Sequence, residues 1–199
     1  MRILVVGGEG TVGKAAVSDL CKRHDIVSAG RNSGEIKVDV LDEASVLAMF
    51  KTAGTVDAVI VTTGHTHFGS VADMTPELFR KGVNDKLMGQ INVALIGMHH
   101  VKDSGSITLT SGVTNRDFIR KGANAASVNG ALDDFARGAA IEMPRGLRIN
   151  VVSPGLLEDS AVKYDGFFPG HQPVSASRVG LAYTKSVESA LTGQVIVVD

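Results

Sequence analysis

The stretch MRILVVGGEGTVGK, Met1 to Lys14, decides the fold. Ile3 to Val6 is an uninterrupted apolar run, mostly β-branched, which suits a strand buried on both faces. Gly7, Gly8, Gly10 and Gly13 follow at once. Thr11 then opens a segment whose apolar residues Val12, Ala15, Ala16 and Leu20 fall at helical spacing. Strand, glycine turn and helix in that order make a phosphate cradle. Glycines let the backbone come close, and free N–H groups at a helix N-terminus point at the anion. Three spaced glycines alone would also fit an ordinary βα turn. Their place between a strand and a helix, ahead of further strand–helix alternation, favours a dinucleotide. The expected contacts are Gly7, Gly10, Thr11, Val12 and Gly13.

Outward from that turn the chain continues the pattern. Ile26–Ala29 reads as a second strand, ending in Gly30, Arg31, Asn32 and Ser33. The end of this strand meets the adenosine ribose in dinucleotide folds. An acidic residue there suits NAD, and a basic one accommodates the 2′-phosphate of NADP. Arg31, with Asn32 and Ser33 as donors, therefore favours NADP over NAD. Glu35–Val38 reads as a short third strand followed by Asp39 and Val40. Too few residues precede it for a crossover helix. Asp42 is placed to cap a helix over Glu43–Lys51, with Val46, Leu47 and Phe50 facing inward.

Asp57–Val61 is a fourth strand, running into Thr62, Thr63, Gly64, His65, Thr66 and His67. Thr75 and Pro76 form a helix start. A long helix is expected from near Asn84 to His100, with Leu87, Ile91, Leu95 and Met98 as its apolar stripe. Ser106–Thr110 is a fifth strand, a helix follows over about 124–143, and Leu147–Val152 is a sixth strand. Residues 156–174, with Phe167, Phe168, Pro169 and Pro173, read as an irregular lid. Ser175–Leu191 is a last helix and Gln194–Val198 a seventh strand. This alternation predicts a single Rossmann-like α/β domain over 1–199, with a doubly wound, mostly parallel seven-stranded sheet and helices on both faces.

Composition narrows the function. The chain has 199 residues, 44% of them hydrophobic, enough for a sizeable core. A net charge of −1 gives no electrostatic pull toward nucleic acid or an anionic membrane. The N-terminal apolar run reads as a strand rather than a leader, and no apolar run is long enough to span a bilayer. A cytoplasmic location is expected. Cys21 is the one cysteine, which rules out an internal disulfide and suggests a buried thiol on the first helix. His65 and His67 have no cysteine or carboxylate cluster beside them, so no metal site is expected.

Over nearly its whole length the chain resembles the short-chain dehydrogenases/reductases. The glycine turn matches in the spacing Gly7-x-x-Gly10-x-x-Gly13. Asp39 matches the family's aspartate that touches the adenine, and Thr62-Thr63-Gly64 stands where Asn-Ala-Gly is common. Gly105 to Ser111 looks like the strand that ends in the active-site serine. Arg148 to Gly155 is close to R-x-N-x-V-x-P-G, and Thr192 to Ile196 resembles the C-terminal strand. The resemblance implies an NADP(H)-dependent oxidoreductase acting on a small carbonyl or alcohol. It implies that Ser111 polarises the carbonyl, that Pro154 and Gly155 border the nicotinamide, and that Thr62, Thr63, Gly64, Asp39 and Val40 contact the cofactor. It also implies a homodimer or homotetramer paired through the helices at about 84–100 and 124–143.

The family's Y-x-x-x-K is absent. Its tyrosine place holds Ala125 and its lysine place Asn129. The family's phenol gives a proton to the carbonyl, and the ammonium beside it lowers the phenol pKa and holds the ribose. Alanine does neither, and Asn129 can hydrogen-bond the ribose without supplying charge. The chain's two tyrosines, Tyr164 and Tyr183, lie beyond the sixth strand. The family's asparagine on the long helix corresponds to Asn84 or is replaced by Lys86. Two main readings follow. One is a reductase with a different proton donor: His65, His67, Tyr164 or water. The other is a dinucleotide-binding protein that transfers no hydride and serves as a sensor or structural partner. An isomerase or lyase with a standing cofactor is a third.

Overall fold

The apolar runs form a seven-stranded, all-parallel sheet in the computed structural model, which describes residues 1–199. The strands are β1 (Arg2–Val6), β2 (Asp25–Gly30), β3 (Ile36–Lys37), β4 (Val56–Val61), β5 (Val101–Thr110), β6 (Arg148–Pro154) and β7 (Val195–Val198). Their order is β3-β2-β1-β4-β5-β6-β7. The chain winds outward from β1 in one direction, then from β4 in the other. The β1/β4 boundary is thus the switch point, where an open α/β sheet leaves a crevice at its C-terminal edge. β3 pairs in parallel with β2 although only a short loop joins them. That is possible because β3 is two residues long, so the chain has little distance to return.

Six α-helices cover the sheet: α1 (Thr11–Leu20), α2 (Glu43–Ala53), α3 (Pro76–Gly82), α4 (Gly89–Gly97), α5 (Ala123–Ala139) and α6 (Ala176–Glu188). One core lies between the sheet and α2, α4 and α5, around Val46, Phe50, Val93 and Leu132. The other lies under α1 and α6, around Ala16, Leu20, Val179 and Tyr183. Asp42 and Thr75 cap α2 and α3 as the sequence predicts, accepting from Ala44 N–H at 3.0 Å and Leu78 N–H at 3.2 Å. No helix is long and apolar enough to cross a membrane.

Four expectations change. α2 buries Val46, Met49, Phe50 and Ala53, and Leu47 turns outward, because position 47 lies about 100° round the helix from position 46. Cys21 is exposed, since it stands just past the last buried residue of α1. The long helix does not begin near Asn84. α3, a π-helical segment over Val83–Met88, and α4 follow one another without a break from Pro76 to Gly97. Its predicted apolar stripe is only partly its core face. Leu87 and Met98 pack against the core, Leu95 is exposed, and the fully buried residues are Gly89, Gln90, Val93, Ala94 and Gly97. Small residues serve there because Phe50 and Val40 press against the helix: a Cβ at Gly97 would sit 2.8 Å from the Phe50 ring, and one at Gly89 2.8 Å from Val40.

Candidate active site

The nucleotide end of the crevice is built by exclusion of side chains. Gly7 has φ +89°, and a Cβ there would meet Thr62 Oγ1 and Thr63 Cγ2 at 2.8 Å. A Cβ on Gly13 would lie 2.1 Å from the Gly7 carbonyl oxygen, so only glycine lets α1 pack on the turn. Thr62 fastens the turn to β4 by donating its hydroxyl to the carbonyls of Val6 and Gly7 at 3.1 and 3.0 Å. The first helical hydrogen bond runs from Lys14 N–H to Gly10 O. The amides of Thr11, Val12 and Gly13 therefore precede it and have no helical acceptor. Gly10 supplies no side-chain cap. Thr63 Oγ1 is buried without a partner. A side-chain-free cradle, unpaired amides and an orphaned hydroxyl fit a dinucleotide's phosphates.

At the end of β2, Arg31, Asn32 and Ser33 are exposed. Arg31 reaches across to Asp39, with Nη2 3.1 Å from the carboxylate. Asp39 also accepts from the Leu41 amide at 3.1 Å; that bond, then Arg31, holds its carboxyl below the usual range. Val40 is buried, and its carbonyl accepts from Asn92 at 3.0 Å. These residues thus share one rim with the glycine turn.

The other end is set by side chains. Lys86 lies in the π-helical segment and reaches over the end of β4, so closely that a Cβ on Gly64 would sit 2.5 Å from the Lys86 Cα. Its ammonium donates to the Ser111 carbonyl at 2.8 Å and to Asn129 Oδ1 at 2.7 Å. Asn129 in turn donates to Thr114 Oγ1 at 2.8 Å. Burial pushes the Lys86 ammonium down to about 8, partly opposed by the charge of Asp133. Asn84 is exposed, so Lys86 is the residue of this segment that faces the site. One turn on, Gln90 is fully buried. Its amide nitrogen donates to the carbonyls of Thr63 and Thr110, and its oxygen accepts from Thr110 N–H at 2.8 Å. Gln90 thus ties the helix to the ends of β4 and β5.

Ser111 is buried, and its hydroxyl lies in a polar cluster behind the strand end. Asn115 Nδ2 reaches it at 3.5 Å and also donates to Asp133 and, at 3.0 Å, to Ser153. Burial raises the Asp133 carboxyl, and the Ser111 and Asn115 hydrogen bonds oppose the rise. What Ser111 presents to Lys86 is its main-chain carbonyl. A Cβ at Gly112 would face the Asn129 amide at 3.2 Å. Ala125 is buried one turn before Asn129.

The remaining candidate proton donors are spread out. The His65 ring is 90% exposed and pairs with Asp85 at 3.3 Å. The His67 amide donates to Asn124 Oδ1 at 2.8 Å, pinning the loop after β4 to α5. Tyr183 is a core residue, its hydroxyl 2.6 Å from Thr110 Oγ1 and its pKa driven up by burial. Tyr164 lies in the lid, packed with Phe68, Phe167 and Phe168. Leu157 and Val174 pair at the lid's base, Gly155 N–H donates to Val198 O at 2.7 Å, and Pro154 pairs with Val198. A cleft of about 510 Å³ opens between Asp117–Lys121 and the lid residues Asp165–His171.

Comparison with known proteins places the chain in a family. The family model described as enoyl-(acyl carrier protein) reductase matches residues 11–184. The chain belongs to the short-chain dehydrogenase/reductase family. It is 33% identical over 150 residues to versicolorin reductase 1 of Aspergillus parasiticus, covering 72% of this chain and 55% of that protein. It is 30% identical over 142 residues to tetrahydroxynaphthalene reductase of Pyricularia oryzae, covering 66% and 50%. The chain thus spans about half the length of the curated relatives it matches. Among solved structures, the protein lin1944 from Listeria innocua superposes with a TM-score of 0.98 at 44% identity over both whole chains. A small-chain dehydrogenase in complex with NADPH has a TM-score of 0.87 at 29% identity, over 100% of this chain and 96% of that one. Family membership makes this an oxidoreductase fold whose members bind nicotinamide dinucleotides.

Of the residues expected at the cofactor, the glycine turn, Arg31, Asp39, Thr62–Gly64 and Pro154–Gly155 stand at or just after the C-terminal ends of β1, β2, β3, β4 and β6, and Asn129 stands on α5 against Gly112. Gln90 and Asp133 were missed. Each left a trace: Gln90 is the polar residue in the apolar run of α4, and Asp133 continues the Ala125, Asn129 face of α5 at helical spacing.

Proposed function

We propose that this protein is a cytoplasmic, NADP(H)-dependent oxidoreductase that interconverts a small carbonyl compound and its alcohol. One observation carries the reading: a glycine cradle and a half-buried ammonium flank the same segment after β4, Thr62 and Thr63 closing on Gly7 and Gly64 on Lys86. In this reading the amides of Thr11, Val12 and Gly13 hold the pyrophosphate. Arg31, with Asn32 and Ser33, takes the 2′-phosphate, and Asp39 and Val40 face the adenine. Thr62, Thr63, Gly64, Asn129, Pro154 and Gly155 border the nicotinamide half. Bound NADPH supplies the hydride. The proton for the substrate oxygen comes from a donor other than the family's phenol, since Ala125 stands in its place. Phe68, from the loop after β4, and the lid's Tyr164 and Phe167 give the substrate a partly apolar wall. The NADPH complex of a similar small-chain dehydrogenase supports the choice of NADP over NAD.

Two copies pair through α4 and α5 in this reading. Leu95, Met98, Phe135 and Met143 line an apolar groove of about 460 Å³ between these helices. That gives the exposed Leu95 a partner.

A second reading, a dinucleotide-binding protein without hydride transfer, is favoured by the loss of both Y-x-x-x-K residues at Ala125 and Asn129. Fluorescence titration with NADPH and NADH, followed by NADPH oxidation across a panel of small ketones, aldehydes and quinones, separates the two. Micromolar NADPH binding with turnover supports the reductase. Binding with no turnover on any carbonyl supports the second reading. No binding of either cofactor overturns both.

A further inference from the structure

We propose that the cation of this site has been transposed between helices: Lys86, on the π-helical segment, replaces the lysine missing from α5, and its ammonium holds the cofactor's ribose hydroxyls. The inference rests on the NADP(H) reading above. In the family pattern an asparagine sits on the long helix and the lysine on α5. Here Lys86 is on the long helix and Asn129 at the lysine place, so the two side chains have exchanged elements. The exchange is spatial as well as formal, because Lys86 Nζ ends 2.7 Å from Asn129 Oδ1.

The arrangement is built around the lysine. Gly64 has φ +107° and no room for a side chain because the Lys86 backbone crosses it. Gln90, fully buried one turn later, fixes the helix on Thr63 and Thr110. A π-helical segment of this kind widens the helix locally and often marks a functional position.

No carboxylate pairs directly with this charge. Both acceptors of the ammonium, the Ser111 carbonyl and Asn129 Oδ1, are neutral. An ammonium has three N–H donors, so one is left for a ligand. Enclosing a cation among neutral acceptors costs free energy that an apolar or amide side chain would not cost. The ionisable groups around it offset this only in part. The charge of Asp133 on α5 favours the ammonium without outweighing its burial, and Asp133 is itself engaged by Asn115; Asp85, beside Lys86 in the chain, pairs with His65 in the loop after β4. His67, on the same loop, is pinned through its amide to Asn124. A cation kept at a cost, with a free donor at the α5 lysine place, matches the demand of ribose hydroxyls.

NADPH titration by fluorescence tests this on the wild type and on Lys86→Met, Lys86→Arg, Lys86→Asn and the pair Lys86→Asn with Asn129→Lys. It is run at about pH 7 and about pH 9.5, on either side of the lysine's titration. Wild-type affinity is expected to fall about tenfold from the lower pH to the higher. Lys86→Met is expected to bind about tenfold more weakly at the lower pH and to show no further loss. Lys86→Arg, which stays charged, should hold its affinity at both. Moving the cation back with the double variant should recover most of what Lys86→Asn loses. The proposal is overturned if Lys86→Met matches the wild type in affinity and pH profile, or if a folded double variant binds no better than Lys86→Asn. Should the double variant not fold, a pH-dependent loss in Lys86→Arg as large as the wild type's overturns it. Wild-type protein that binds no NADPH would instead break the cofactor reading.

Discussion

The two ends of the crevice are specified in different ways. The nucleotide end is a backbone site. Gly7 and Gly13 are dictated by lack of space, and the groups left unpaired there are main-chain amides that cannot move to another element. The chemical end is a side-chain site. Lys86, Gln90, Asn129 and Asp133 come from two helices, and the same corner can be furnished from either. The first kind of site keeps its motif; the second can keep its chemistry while its motif disappears. That is why a chain lacking Y-x-x-x-K can still place an ammonium beside the α5 lysine position.

The contrast predicts unequal damage. The largest loss is expected at the backbone end: Gly13→Val drives a side chain into the Gly7 carbonyl and should cost about 3 kcal/mol in urea unfolding, with NADPH binding abolished. Next, Gln90→Leu leaves the buried Thr110 N–H and two carbonyls unpaired. It should cost about 2 kcal/mol, and it should weaken NADPH binding by loosening Lys86. If Gln90→Leu proves as stable as the wild type, the chemical end is not held by that residue.

The pH dependence of stability sharpens the comparison. The Lys86 ammonium titrates at about 8 in the folded protein against an ordinary 10.5. Between those values the unfolded chain binds more proton, so this group makes stability rise with pH. The slope approaches ~1.4 kcal/mol per unit in that window. Subtracting the urea profile of Lys86→Met from that of the wild type isolates the rise; a flat difference would mean the ammonium is not enclosed. Arg31→Ala should reduce NADPH affinity about tenfold and leave NADH nearly unchanged, since Arg31 is exposed, its pair with Asp39 is a surface one, and of the two cofactors only NADPH carries the 2′-phosphate. The smallest effect is expected from Ser111→Ala. Its carbonyl still serves Lys86, so NADPH affinity should be unchanged, and stability should fall by about 1 kcal/mol from the hydroxyl lost beside Asp133 and Asn115. A large loss of carbonyl reduction in that variant would restore the polarising role that the family resemblance assigns to Ser111.

What could be read from the sequence follows the same division. The strands, the glycine turn and the helix caps at Asp42 and Thr75 were legible because each rests on local chemistry or on an apolar run. The inward face of α4 was not, because Gly89 and Gly97 are chosen for what they avoid, Val40 and Phe50, and leave no apolar mark. The choice between Asn84 and Lys86 was equally closed, since a π-helical segment shifts the angular position of every residue after it. Gln90 and Asp133 needed tertiary partners, Thr63, Thr110 and Asn115, that no spacing along the chain reveals.

The clasp between Leu157 and Val174 bears on how such a protein can diversify. Because the two ends of the lid already meet, lengthening the segment between them adds only loop-closure entropy, about 0.6 kcal/mol for a doubling. An extra residue in 83–88, by contrast, would swing Lys86 about 100° away from Asn129. Residues 158–173 can therefore change in length while the Lys86–Asn129 contact stays where it is, whereas a change in length beside Lys86 would break it.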